Sequence, residues 1–153
     1  VIARQYCSFR LNRLLFGIDV QLVQEVLMDF EVTRVPLASA IVRGLINLRG
    51  QIITAIDLRV CMGISADDSR RPVSMIVRTG EGMMSFQVDS MEDVVEVDAE
   101  RFEELPGTAK GVGTELIEGV YKMEGQLLHV LDCDRVLEVI LSRSVENVRH
   151  GAN

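Results

Sequence analysis

One feature constrains this chain more than any other: part of it is repeated. Residues 44–60 read GLINLRGQIITAIDLRV, and residues 119–135 read GVYKMEGQLLHVLDCDR. The segments align without a gap at an offset of 75 residues, so that Gly44, Gly50, Gln51 and Asp57 recur as Gly119, Gly125, Gln126 and Asp132. The apolar positions Leu48, Ile52, Ile53 and Ile56 recur as Met123, Leu127, Leu128 and Leu131. A weaker echo precedes each copy: Ile18-Asp19 with Val23, Glu25 and Val26, then Val88-Asp89 with Val94, Glu96 and Val97, one residue longer. This order and spacing imply two related units of roughly 70 residues. One such unit buries too little surface to be more than marginal alone, which favours two units sharing an interface.

Within each unit the patterning is that of strands. Tyr6 to Leu11 alternates, placing Cys7, Phe9 and Leu11 on one face and Tyr6, Ser8 and Arg10 on the other. A break at Asn12-Arg13 leads to a hairpin partner over Leu14 to Ile18, and Thr79-Gly80-Glu81-Gly82 joins Val73–Val77 to Met83–Val88 in the same way. Ile52–Ile56 and Leu127–Leu131 are short apolar runs, expected as fully buried strands. Three helical stretches are predicted: Val20–Leu27 capped by Asp19, one or two turns over Asp98–Leu105, and a C-terminal helix. The last runs from Cys133 to Val148, capped by Asp132 or Asp134, with Val136, Leu137, Ile140, Leu141 and Val145 on its apolar side. Strands without long alternating helices argue against a βαβ nucleotide-binding sheet and for an all-β pair of small barrels. Residues 4–140 are read as one region of two related β units, with 141–153 as the helix end and a tail.

Composition narrows the partners. The formal net charge is −7 and the basic residues are scattered, whereas nucleic-acid binding relies on clustered Lys and Arg. No apolar run approaches the ~20 residues of a spanning helix, and the N-terminus has no signal-peptide pattern. Cys7, Cys61 and Cys133 are distant and odd in number, which reads as free thiols in a reducing, cytosolic compartment rather than disulfides or a zinc site. Trp is absent and aromatics are few, so aliphatic side chains must fill the core. The search for catalysis finds no P-loop, no GxGxxG and no HExxH. Cys61, His129 and Asp57 form no local nucleophile pattern, and a lone His in an apolar run is ordinarily structural.

The run VRGLINLRGQIITAIDLR, residues 42–59, resembles the signature of the CheW family, the coupling proteins of bacterial chemotaxis, and of the CheW-like regulatory domain of the kinase CheA. GIDVQLVQEV at 17–26, TRVP at 33–36 and GQLLHVLDCDRVL at 125–137 extend that resemblance over roughly residues 4–140. Two stretches depart from it: Ser85-Phe86-Gln87, where a Gly is frequent, and Met91, where Val is more usual. The resemblance implies two five-stranded SH3-like barrels around a hydrophobic core, with short helices and a C-terminal helix. It implies no catalysis and no cofactor. The implied partners are the regulatory domain of a CheA-type histidine kinase and the cytoplasmic tip of methyl-accepting chemoreceptors. The protein would be a monomer when free, cytoplasmic, without direct membrane insertion, and recruited to receptor arrays at the inner membrane. The alternative within the class is an excised regulatory domain of CheA or of a CheW–receiver fusion.

Carried onto this sequence, the resemblance implies receptor-binding roles for Val23, Glu25, Val26, Leu45, Asn47 and Arg49. Arg49 is the foremost, because its counterpart in the second copy is Glu124, so the scaffold does not require a positive charge there. Glu25 is its natural partner, and Val23, Val26 and Leu45 would line a groove for the receptor helices. The kinase face is expected around Ile52, Asp57 and Arg59. Gly44 and Gly50 are expected to serve tight turns.

Overall fold

The computed structural model describes residues 2–65, 71–106 and 113–151, with side chains to residue 142. Ten strands, a short helix α1 (Leu58–Cys61) and a C-terminal helix α2 (Cys133–Gly151) are found there. The strands are β1 (Ala3–Leu11), β2 (Leu14–Asp19), β3 (Val23–Leu27), β4 (Val42–Leu48), β5 (Gln51–Asp57), β6 (Val73–Thr79), β7 (Gly82–Val88), β8 (Ser90–Asp98), β9 (Ile117–Met123) and β10 (Gln126–Leu131). They form two five-stranded sheets, ordered β8-β1-β2-β10-β9 and β3-β6-β7-β5-β4.

The sheets do not follow the two sequence units. Each is built from the first hairpin of one copy and the last three strands of the other: β1–β2 joins β8, β9 and β10, while β6–β7 joins β3, β4 and β5. In each sheet the two copies are joined by one parallel pair, β2 with β10 or β5 with β7, and one antiparallel pair, β1 with β8 or β3 with β6. The chain changes sheet twice, at the repeat-related Asp19 and Asp89.

Both sheets turn toward barrel closure, but among the described residues no continuous ladder joins their edges. Instead the segment after β3 bridges back to β4, through reciprocal Thr33 and Leu45 backbone bonds of 2.8 Å, and Glu103 bridges to Val120 on β9 at 2.8–2.9 Å. Gly44 and Gly119 make that approach possible. A Cβ at Gly44 would lie 2.2 Å from the Thr33 carbonyl oxygen, and one at Gly119 would lie 2.6 Å from that of Glu103. Gly44 is therefore not the turn glycine expected from sequence. It sits inside β4, at an irregularity in the pairing with β5, where another backbone passes close by.

The larger core draws on both sheets and on α2, and includes Phe9, Phe16 and Ile18, Ile56, Met75 and Phe86, and Val136 and Ile140. A second cluster, Tyr6, Leu15, Tyr121, Leu128 and Val130, belongs to the first sheet alone. β1 consequently has no polar face over its middle: Phe9 and Leu11 enter one cluster and Tyr6 the other, and Ser8 is buried too. Both faces of a sheet that wraps its own core are covered, which simple alternation does not anticipate.

Three other expectations need correction. Val20–Leu27 is not one helix: Asp19 accepts a bond from the Gln21 amide and caps a single 3-10 turn, Val20–Leu22, after which the chain is strand β3. Asp98 likewise caps only the 3-10 turn Ala99–Arg101. The runs Ile52–Ile56 and Leu127–Leu131 are not buried throughout, because Ile52 and Leu127 face outward at equivalent positions. α2 begins as expected, with Asp132 accepting from the Arg135 amide at 3.1 Å, and it buries Val136 and Ile140 while Leu141 is exposed. The side chain of Val145 lies outside the described residues.

Candidate partner-binding site at the β4–β5 turn

Leu48 pairs with Gln51, leaving a two-residue loop of Arg49 and Gly50. Both have positive φ, 50° and 86°, as a type I′ hairpin turn requires. Glycine takes this conformation freely, but for an arginine it is costly. Asn47 helps to hold it: its side-chain oxygen accepts from the Gly50 amide at 3.0 Å. In the second copy the loop is Glu124-Gly125, and there only the glycine has positive φ. The left-handed arginine is thus a property of this turn, not of the scaffold.

The turn presents the guanidinium to solvent, with the Arg49 side chain 72% exposed. It is not free to roam, because both terminal nitrogens donate to the two carboxylate oxygens of Glu25 on β3. That bond raises the pKa of Arg49 above its ordinary value, with the carboxylate's charge adding to it. A fork held from behind in this way offers its outer N–H groups in one direction.

β3 also carries an irregularity at Gln24, between the pairs Val23–Val77 and Glu25–Ile76. The extra residue brings Val23 and Val26 onto one face, since their partners Val77 and Met75 both belong to the larger core. Val23 is half-buried against that core and Val26 is 39% exposed. Leu45 is half-buried in β4. Glu25 and Arg49 are therefore directly joined, Asn47 shapes the turn, and the two valines supply an apolar edge on the same strand as Glu25.

The three residues expected at the kinase face are not together. Ile52 is 61% exposed and pairs across the hairpin with Asn47, beside the Arg49 turn. Asp57 ends β5 and is buried; it accepts from the Arg59 amide at 2.9 Å and forms an ion pair with Arg43 at 2.8 Å. Arg59 donates to Asp89 at 2.6 Å, with side chains only 12% and 6% exposed. Asp89 also accepts from the Asn12 amide at 2.7 Å, tying the far hairpin to this end of the other sheet. Arg43 was not singled out from sequence, and Asp89 was noted only as the counterpart of Asp19 in the weaker echo.

The side chains considered for catalysis are dispersed. Cys61 is buried in the larger core, and the His129 ring nitrogen Nδ1 lies 2.9 Å from the Leu15 carbonyl, with Phe16 beside the ring. The Cys133 thiol is pushed up to about 12, first by burial and then by Asp132 and Asp134. Such a thiol is a poor nucleophile. Among the described residues no group of three or more His, Cys, Asp or Glu could hold a metal ion.

Comparison with known proteins adds the family. Residues 5–141 match the model of the CheW-like domain. The chain is similar to the chemotaxis protein CheW of Klebsiella aerogenes, at 29% identity over 150 residues, covering 96% of this chain and 89% of the relative. It is 30% identical to that of Bacillus subtilis over 139 residues, 89% and 88% of the two chains. Among solved structures it resembles the scaffolding protein TtCheW from Thermoanaerobacter tengcongensis, with a TM-score of 0.81 at 26% identity over 88% of this chain and 92% of that one. By sequence and by fold, this chain belongs to the CheW-like domain family and is a non-catalytic chemotaxis adaptor.

Proposed function

We propose that the chain couples a CheA-type histidine kinase to methyl-accepting chemoreceptors by binding both at once, with the Arg49 turn as the receptor contact. The observation that carries this reading is the Glu25–Arg49 pair: an exposed guanidinium in a costly backbone conformation, oriented by a carboxylate on another strand. Strained and oriented side chains at a surface are a signature of binding sites rather than of stability. The receptor's helical tip would lie along Val23 and Val26, with Leu45 behind them and the polar groups of Asn47 and Arg49 at one end. The homologous regulatory domain of the kinase would dock on a separate face reached through Ile52. Asp57 and Arg59 would support that face from within, since their charges are already paired. The protein acts in the cytoplasm, as a monomer until receptor arrays at the inner membrane recruit it. No helix among the described residues is long and apolar enough to cross a membrane, which fits recruitment through partners.

A pulldown with a receptor signalling fragment and, separately, with a kinase regulatory domain tests the assignment. Arg49→Ala is expected to lose at least about tenfold in receptor affinity while retaining kinase binding and its circular dichroism spectrum. Unchanged receptor binding in the folded variant would remove Arg49 from the interface.

A further inference from the structure

At the end of the second sheet opposite the Arg49 turn, the ends of β3, β5 and β7 and the starts of β4 and β6 surround a cavity of about 470 Å³. Four arginines line it. Arg43 and Arg59 are engaged by the buried Asp57 and Asp89. Arg34, in the segment between β3 and β4, and Arg71, just before β6, are exposed and have no carboxylate partner among the described residues. Among the described residues, Asp29 is the remaining acid of the lining. Two guanidiniums without a carboxylate among the described residues, on separate segments, thus line one concavity, whose other walls include Phe30, Val32 and Val88.

The repeat provides an internal control. The equivalent end of the first sheet has its own cavity, of about 390 Å³, whose charged lining is four acids, Asp19, Glu118, Asp132 and Asp134, with two arginines, Arg4 and Arg78. Glu118 and Asp134 stand 75 residues after Arg43 and Arg59, in their places. The fold is therefore satisfied with acids where the second sheet has arginines, and the basic character of the larger cavity is not imposed by the scaffold.

We propose that this cavity binds a small phosphate-bearing molecule, with its phosphates between Arg34 and Arg71 and an organic moiety against Phe30 and Val32. The size falls within the ~300–1,000 Å³ of small-molecule pockets. Planar guanidiniums are the side chains best matched to phosphate oxygens. Arg43 and Arg59 build the wall and add positive potential, while the carboxylates they hold keep the empty cavity from excessive repulsion.

Calorimetric titration with inorganic pyrophosphate and with ADP, at ionic strength matched by sodium chloride, tests this. Saturable binding is expected, weakened at least about tenfold by combining Arg34→Ala with Arg71→Ala. Arg13→Ala with Arg101→Ala, which removes two exposed arginines elsewhere, should leave it unchanged. Both pairs are on the surface, and a melting curve confirms that each variant folds. Absence of saturation with either probe overturns the proposal, as does equal weakening by the two double variants. ADP binding more tightly than pyrophosphate supports the apolar subsite, and equal affinities would overturn that part.

Discussion

Arg49 occupies a backbone conformation that its own side chain disfavours, and Glu124 at the matching position of the same molecule does not. The difference separates what the turn needs from what the arginine does. Arg49→Gly is expected to fold with an unfolding midpoint at or above that of the parent, because glycine relieves the positive φ, yet to bind receptor as poorly as Arg49→Ala. Chemical denaturation alongside the pulldown checks both halves, and a lower midpoint would mean that the Glu25 pair is chiefly structural. A second residue carries a pH signature. The carboxyl of Glu118 is raised above its usual range, first by burial, then by Asp132, with Arg4 opposing the rise. A raised folded-state pKa means that the native state holds the proton more tightly, so the associated stability is present at low pH and lost as pH rises through that pKa. Glu118→Gln should therefore raise the denaturation midpoint at neutral pH, and the advantage should vanish below about pH 4. At this scale the sequence was informative where a motif named the residue, as for Arg49 and Glu25. It did not reveal the charged partners of Asp57 and Arg59, because the pairing with Arg43 and Asp89 is not written in local sequence.

Strands β1, β2, β5, β6, β7 and β10 and the turns between strands were legible for a plain reason: apolar patterning and the turn residues Asn12-Arg13, Arg49-Gly50 and Gly80-Glu81 are local signals. The exchange of hairpins between the two copies was not, since alternation within β1 or β6 says nothing about which sheet receives it. β3 was mistaken for helix because Asp19 really is a cap, but of one 3-10 turn that redirects the chain from one sheet to the other. Its counterpart at the second crossing, Asp89, binds Arg59 of one sheet's end and the Asn12 amide of the other's hairpin. Removing the carboxylate leaves the largely buried Arg59 guanidinium with the Ser65 carbonyl but no counter-charge, and the Asn12 amide without its acceptor. Asp89→Ala is therefore expected to cost about 3–5 kcal/mol in urea unfolding. A loss within 1 kcal/mol or so would mean that solvent replaces the pair without penalty.

For the whole molecule, two sheets sharing one core give a rigid body with distinct ends, and an adaptor needs separated faces. Two interfaces of about 800 Å² each would occupy about a sixth of the 9529 Å² of accessible surface, leaving both partners room to bind together. Individually weak contacts of this size gain strength when partners are held in an array. The most direct test of bridging is co-sedimentation. Receptor signalling fragments are displayed on vesicles, and a kinase regulatory domain is added with and without this chain. The account predicts that the kinase domain pellets with the vesicles only when the chain is present, and that Arg49→Ala leaves it in the supernatant. A kinase domain that pellets equally without the chain, or is displaced from it by receptor, would contradict simultaneous bridging.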